Sequence, residues 1–256
     1  MTARADVHEL AALLAKAVAD RTAITKLTDD HPELDLATAY RVQAELRDAS
    51  GPLVGRKLGV TSRAKQVQVG VDSPVHGFLA GSAMLDLGEL LDTTRHIQPR
   101  CEPEIVFVLG RDLAGPHVST ADVLAATSGV AVGIEVLDSR YTGYDFTMAD
   151  VVADNTSAAR FVVGTPISPA GIDLRLVGVV LEKNGQVVAT ASGAAALGHP
   201  AAATAWLVRQ LAAEGGGLRA GEIVLSGGLT AAVPVAAGDV VVVSIDRLGT
   251  VELGCR

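Results

Sequence analysis

The residues with the most chemical content lie in Arg100-Cys101-Glu102-Pro103-Glu104-Ile105-Val106-Phe107-Val108. Alternate side chains of a strand share a face, so Glu102 and Glu104 point the same way. Two neighbouring carboxylates leading into an apolar strand repel each other and resist burial, an objection that a divalent cation between them removes. Glu135 is a third carboxylate, inside Val130-Ala131-Val132-Gly133-Ile134-Glu135-Val136-Leu137, where a lone acid among Val, Ile and Leu needs a partner. Three carboxylates, with waters and a chelating substrate, form the hard oxygen site that magnesium or manganese prefers. The same spacing also accommodates an exposed acidic strand end with Glu135 paired to an arginine.

Lys57 is the next oddity, a lysine inside the glycine-flanked strand Gly55-Arg56-Lys57-Leu58-Gly59. Such a lysine can bind a substrate carboxylate or transfer a proton; a solvated edge-strand lysine is the bland alternative. Ser226-Gly227-Gly228-Leu229-Thr230 follows a strand and offers backbone N–H groups free of Cβ hindrance, a turn suited to a carboxylate. Asp154-Asn155-Thr156-Ser157 is a polar cluster whose composition turn chemistry explains equally well.

Other chemistries find no support. There is no nucleophile elbow, P-loop or dinucleotide fingerprint. The six histidines have no ligand spacing, and His199, between Gly198 and Pro200, reads as structural. The two cysteines, Cys101 and Cys255, make neither a disulfide framework nor a zinc pattern, and Cys101 reads as a small buried residue. A formal net charge of −8 gives no footprint for nucleic acid or an anionic membrane. The start lacks a signal-peptide apolar run, and no apolar stretch approaches the ~20 residues of a membrane span. A cytoplasmic protein with a sizeable core, 49% hydrophobic and 20% charged, is the expectation.

These residues need elements to position them. Val7, Leu10, Leu13, Leu14 and Val18 have helical spacing, and a second helix is expected behind Asp35, running to the break at Ser50-Gly51-Pro52. Beyond that break, glycine-bounded apolar segments predict strands over 53–60, 105–109, 130–137, 161–163, 174–181, 186–190, 223–225 and 240–245. Asn184-Gly185 marks a hairpin. Two further helices are expected, one capped by Ser119 with Asp122 and one opening at Pro200 and ending at Gly215-Gly216-Gly217. Strands and helices do not alternate, so an α+β chain follows: an N-terminal helical portion over 1–52 and a mostly β body over 53–256.

Together these segments resemble the 2-oxopent-4-enoate hydratase and 4-oxalocrotonate decarboxylase family, within the fumarylacetoacetase-like superfamily. The blocks that carry the resemblance are GRKLGVTSRAKQVQVGV at 55–71, IQPRCEPEIVFVL at 97–109, EVLDSRY at 135–141 and VVADNTSAARFV at 151–162. It continues through VVLEKNGQVV at 179–188, GAAALGHP at 193–200 and SGGLTAAVPVAAGD at 226–239. The resemblance implies a fumarylacetoacetase-like mixed β-roll or barrel core with flanking helices. It implies metal ligands at Glu102, Glu104 and Glu135 for Mg2+ or Mn2+, an active-site lysine at Lys57, and substrate contacts from Ser157 and Thr230.

Decarboxylase and hydratase share those residues. Ser139-Arg140-Tyr141, Tyr144, Phe146 and Arg160-Phe161 look like decarboxylases, whereas Val60 and Gln98-Pro99 look like hydratases, and Tyr144 replaces the usual Phe. The implied activity is metal-dependent decarboxylation of 2-oxo-3-hexenedioate to 2-oxopent-4-enoate and carbon dioxide. Hydration of 2-oxopent-4-enoate is the alternative, and a non-catalytic partner subunit the remote one. The resemblance further implies an oligomer and a hetero-complex with a companion hydratase. Tyr144 and Phe146 would suit exclusion of water if they line the pocket.

Overall fold

The computed structural model describes residues 6–62, 66 and 73–256. Residues 63–65 and 67–71 of the Lys57 block therefore lie outside the described residues, as does the start of the helical portion.

Two helices open the chain, α1 (Val7–Asp20) and α3 (Leu36–Ala49), with the short α2 (Leu27–Asp30) between them. Asp6 and Asp35 cap α1 and α3 by accepting from the His8 and Thr38 amides. Their apolar stripes meet in one core of Leu10, Leu14, Leu34, Ala39 and Val42, which also takes in Val75, Tyr141 and Val152 of the strand body. The helical portion is thereby packed onto the rest of the molecule.

The body holds two sheets. The larger runs in the order β2 (Val75–Ala80), β1 (Leu53–Gly59), β9 (Ile223–Leu225), β4 (Arg100–Leu109), β5 (Thr127–Leu137), β6 (Ala158–Val163) and β3 (Met84–Leu85), and β10 (Val233–Pro234) pairs with β4. Most pairs are antiparallel, while β1–β9 and β3–β6 are parallel. The smaller sheet is β12 (Gly249–Gly254), β11 (Val240–Ile245), β7 (Gly178–Lys183) and β8 (Gln186–Ser192). Asn184 and Gly185 turn β7 into β8 with φ of 54° and 74°, the left-handed pair that a two-residue hairpin requires.

Strand parity divides the large sheet. Leu58, Ile105, Phe107, Ile134 and Val224 point to the main core, where α4 (Thr120–Ala126), α6 (Pro200–Ala213) and the small sheet cover them. Leu79, Val106, Ala131, Phe161 and Leu225 form a smaller cluster on the opposite face. Lys57, Glu102, Glu104 and Glu135 share the parity of that second face.

The strands expected at 223–225 and 240–245 have those limits, and the one expected at 174–181 begins instead at Gly178. Val75–Ala80 was not expected as a strand because it is buried on both faces and shows no alternation. Also unexpected is α5 (Met148–Ala153), a short helix closed by a Thr147–Asp150 capping box. No helix among the described residues is long and apolar enough to cross a membrane.

Candidate active site

Register brings the acids together. Glu102 on β4 stands opposite Glu135 on β5, and Glu104 opposite Gly133. Across the sheet, β1 sits between β2 and β9, so Lys57 is an interior residue rather than a solvated edge lysine. Glu104 and Glu135 are fully buried, Glu102 is 3% exposed and Lys57 is 1% exposed. One ligand oxygen from each acid lies within 4.8 Å of the others. The exposed acidic end and the Glu135–arginine pair, both open at the level of spacing, are not what forms.

Lys57 Nζ lies 2.7 Å from Glu135 Oε1 and donates to the Thr156 carbonyl at 3.0 Å. Among the described residues this one ammonium does not neutralise both Glu104 and Glu135. Burial first, and then Glu135 and Glu102, pushes the Glu104 carboxyl well above the ordinary carboxylate range, with Lys57 opposing. Burial likewise raises Glu135, against the pull of Lys57. Glu104 Oε1 and Glu135 Oε2 have no hydrogen-bond donor among the described residues. Buried carboxylate oxygens without donors are costly unless a cation occupies the space between them.

The glycine turn closes one side. Gly227 N–H donates to Glu104 Oε2 at 2.6 Å, so this amide holds the protein's own acid rather than a ligand carboxylate. A Cβ on Gly228 would sit 2.1 Å from Glu102 Oε2, and one on Gly227 2.1 Å from Thr61 Oγ1. Side chains are therefore excluded at both positions by the acids and by Thr61. Thr61 is buried, and its hydroxyl finds no partner among the described residues. Thr230 at the end of the turn is half-buried and donates to the Ala231 carbonyl at 2.9 Å.

The polar cluster before β6 forms the opposite wall. Asn155, Thr156 and Ser157 have φ of 47°, 52° and 59°, three successive left-handed residues without a glycine. Such conformations cost on the order of 1–3 kcal/mol each and persist only where the surroundings enforce them. Enforcement comes from Arg140, whose Nε donates to Asp154 Oδ1 and whose terminal nitrogens reach the carbonyls of Asp138, Asp154 and Ala158. Burial pushes Asp154 up to about 6, with Arg140 acting against it. Ser157 is buried, and its hydroxyl is 3.3 Å from Asp154 Oδ2.

A family model for the fumarylacetoacetate (FAA) hydrolase C-terminal region matches residues 54–254. The chain belongs to the fumarylacetoacetate hydrolase C-terminal family. The match begins next to Leu53, where β1 starts, and takes in Lys57, all three acids and the glycine turn. Among relatives, a 4-oxalocrotonate decarboxylase from Pseudomonas sp. (strain CF600) is 44% identical over 97% of this chain and 96% of that protein. A 2-hydroxyhexa-2,4-dienoate hydratase from Comamonas testosteroni is 41% identical over 94% of each. A solved structure of 4-oxalocrotonate decarboxylase from Pseudomonas putida G7, complexed with magnesium and adipate, superposes with a TM-score of 0.94 at 43% identity. That superposition covers 98% of this chain and 97% of the other. The fold is thus the fumarylacetoacetase-like one: a mixed, half-barrel sheet with a second sheet and flanking helices.

Residue type and spacing point to the acids, Lys57 and the 154–157 cluster, and the resemblance to Arg140, but nothing in the sequence singles out Thr61 or the left-handed backbone of that cluster. No sequence signal marks positive φ at Thr156, because β-branched residues avoid that region. Tyr144 and Phe146 have these contacts: Arg100 lies 3.9 Å over the Tyr144 ring, the Tyr144 hydroxyl donates to the Gln98 carbonyl, and Phe146 packs on the helical core. His199 caps α6 by accepting from the Ala201 amide, the structural role expected of it. Cys101 is buried, and its thiol is raised far above the usual range. A cleft of about 530 Å3 lined by Leu14, Phe78, Asp138, Arg140, Asn155 and Arg160, among others, does not include the acids or Lys57.

The raised Glu104 carboxyl dictates a pH response. A buried acid whose folded pKa exceeds its unfolded value near 4.5 contributes stability below that value and loses it as pH rises through the folded pKa. The metal-free protein is therefore expected to melt at progressively lower temperature as pH rises above about 4.5. Saturating magnesium should flatten that slope, which thermal melts with EDTA and with magnesium compare directly. A slope unchanged by magnesium would show that the acids do not take the ion.

Proposed function

We propose that this chain is a metal-dependent decarboxylase of 2-oxo-3-hexenedioate, releasing carbon dioxide and 2-oxopent-4-enoate. The observation that carries the reading is the buried cluster of Glu102, Glu104, Glu135 and Lys57, on a chain 44% identical to a 4-oxalocrotonate decarboxylase over nearly its whole length. The magnesium–adipate complex of the Pseudomonas putida G7 enzyme adds support, because adipate is a six-carbon dicarboxylate like the proposed substrate.

The donor set fits a hard divalent cation: three carboxylates, two of them raised by burial and with oxygens that lack donors among the described residues. Glu102, Glu104 and Glu135 would hold Mg2+ or Mn2+, which supplies stabilisation of negative charge on the substrate's C1 carboxylate and C2 oxygen. In the reaction the C5–C6 bond breaks, C6 leaves as carbon dioxide, and the pair of that bond moves through the C3–C4 unsaturation onto the C2 oxygen; a proton from water then adds at C3 to give 2-oxopent-4-enoate. The chain must hold the substrate planar for that conjugation. Lys57 contacts the substrate's oxygens or moves a proton among them. Ser157 and Thr230 are assigned to substrate binding, Ser157 from beside Asp154 and Thr230 from the end of the glycine turn. Residues 1–52 serve as the helical portion and 53–256 as the catalytic domain. The enzyme works in the cytoplasm as an oligomer, in a hetero-complex with a hydratase that consumes its product.

The hydratase reading is carried by relatives of that activity at 41% identity. Parallel spectrophotometric assays with 2-oxo-3-hexenedioate and 2-hydroxypenta-2,4-dienoate, with magnesium or with EDTA, separate the two. EDTA-sensitive consumption of the first with release of carbon dioxide is expected. Consumption of the second alone would make the chain a hydratase; inertness towards both would overturn the substrate inference, and loss of metal binding as well would mark a non-catalytic partner subunit.

A further inference from the structure

Among the described residues the Lys57 ammonium has two acceptors, and one of them, the Thr156 carbonyl, sits on the left-handed backbone of the 155–157 turn. Thr156 has φ 52° and ψ 37°, a conformation a β-branched residue does not adopt unaided. Asn155 explains how it is held. Its Oδ1 accepts from Phe78 N–H at 2.9 Å and its Nδ2 donates to the Phe78 carbonyl at 3.1 Å. This side-chain amide thus pairs with β2 as a neighbouring strand would, on the last strand of the large sheet. One residue away, Gly77 pairs with Lys57 across β1 and β2. A Cβ on Gly77 would lie 2.6 Å from Asn155 Oδ1 and 2.8 Å from Thr156 Oγ1, so only glycine leaves the turn its place.

We propose that Asn155 is a positioning residue for Lys57: its amide clamps the 155–157 turn to β2, and Gly77 makes the room, so that the Thr156 carbonyl holds the ammonium beside Glu135. The inference rests on the reading of Lys57 as an active-site group. The clamp's own hydrogen bonds run to Phe78 and to none of the acids. Its loss should therefore act on turnover rather than on metal or substrate affinity, and misplacement by about 1 Å can cost on the order of 10²-fold in rate.

The test compares kcat, KM for 2-oxo-3-hexenedioate and the magnesium titration midpoint in wild type, Asn155→Gly, Gly77→Ala and Lys57→Ala. Glycine at 155 takes the left-handed φ without strain, so that variant removes the clamp and leaves the backbone its conformation. The expected result is a fall in kcat of at least about tenfold in Asn155→Gly and in Gly77→Ala, with KM and the metal midpoint within about twofold of wild type. Should Asn155→Gly not fold, the similarly sized Asn155→Asp, which loses the donor to Phe78, is read the same way. A kcat within twofold of wild type would overturn the proposal, as would loss of metal binding in step with turnover, which marks a general structural role. Unchanged turnover in Lys57→Ala would instead sink the role of Lys57 itself and the present inference with it.

Discussion

Lys57→Ala is expected to lower turnover of 2-oxo-3-hexenedioate by about 10²–10⁴-fold, the usual worth of a positioned proton-transfer or charge-bearing group. Magnesium binding should survive. The acids that would ligate the ion stand on β4 and β5, whereas Lys57 stands on β1, and removing a neighbouring cation does not disfavour a second one. Stability supplies an independent reading. Lys57 and Glu135 form a buried pair at 2.7 Å, and deleting one partner of such a pair costs about 3–5 kcal/mol. The metal-free variant should therefore melt well below wild type and recover much of that loss with magnesium, which supplies positive charge beside Glu135. Steady-state kinetics together with melts at several magnesium concentrations check both halves. Turnover within a few-fold of wild type would remove Lys57 from the mechanism.

Glu104→Gln separates function from stability in the opposite sense. The carboxyl of Glu104 is buried beside Glu135 and Glu102 and held well above its ordinary range, so the metal-free site carries repulsion that the fold must offset. Glutamine keeps the shape and an oxygen for the Gly227 amide while removing the charge. The metal-free variant should consequently be more stable than wild type, each kcal/mol appearing as roughly 2–4 °C in Tm. Its magnesium affinity should fall by at least about 10- to 100-fold, since losing even a residue that only hydrogen-bonds a metal ligand has that effect. The rise in Tm that magnesium produces in wild type should be nearly abolished. An unchanged metal titration would count against the ligand assignment, and a lower metal-free Tm would show that Glu104 is not under charge stress. Functional sites commonly trade stability for activity in this way.

Much of the site was legible because its signals are local and periodic. The two-residue spacing of Glu102 and Glu104 requires a shared face whatever the strand's neighbours are. An acid amid Val, Ile and Leu at 135 and a lysine at 57 stand out because their burial needs compensation. Asn184-Gly185, the Ser119 cap and the Pro200 helix start were readable for the same reason, since turn and cap chemistry involves only a few consecutive residues. Val75–Ala80 escaped because a strand covered on both faces has no alternation to read.

By itself, then, the sequence determined which residue types face one another along each strand, where the chain turns, and that three acids and a lysine need partners. It also determined family membership, because ordered blocks recur across nearly its whole length. Tertiary structure alone decided who the partners are. That Glu102 stands opposite Glu135 is a matter of β4–β5 register. That Lys57 is interior depends on β9, some 166 residues further along the chain, lying beside β1. The glycine turn bonds Glu104 instead of awaiting a ligand because its Gly227 amide comes within 2.6 Å of that acid. Thr156 holds a conformation its own side chain opposes, because Asn155 and Arg140 bind the turn from both sides. Local preferences amount to about a kcal/mol per residue, and contacts between distant segments outweigh them when several converge on one turn.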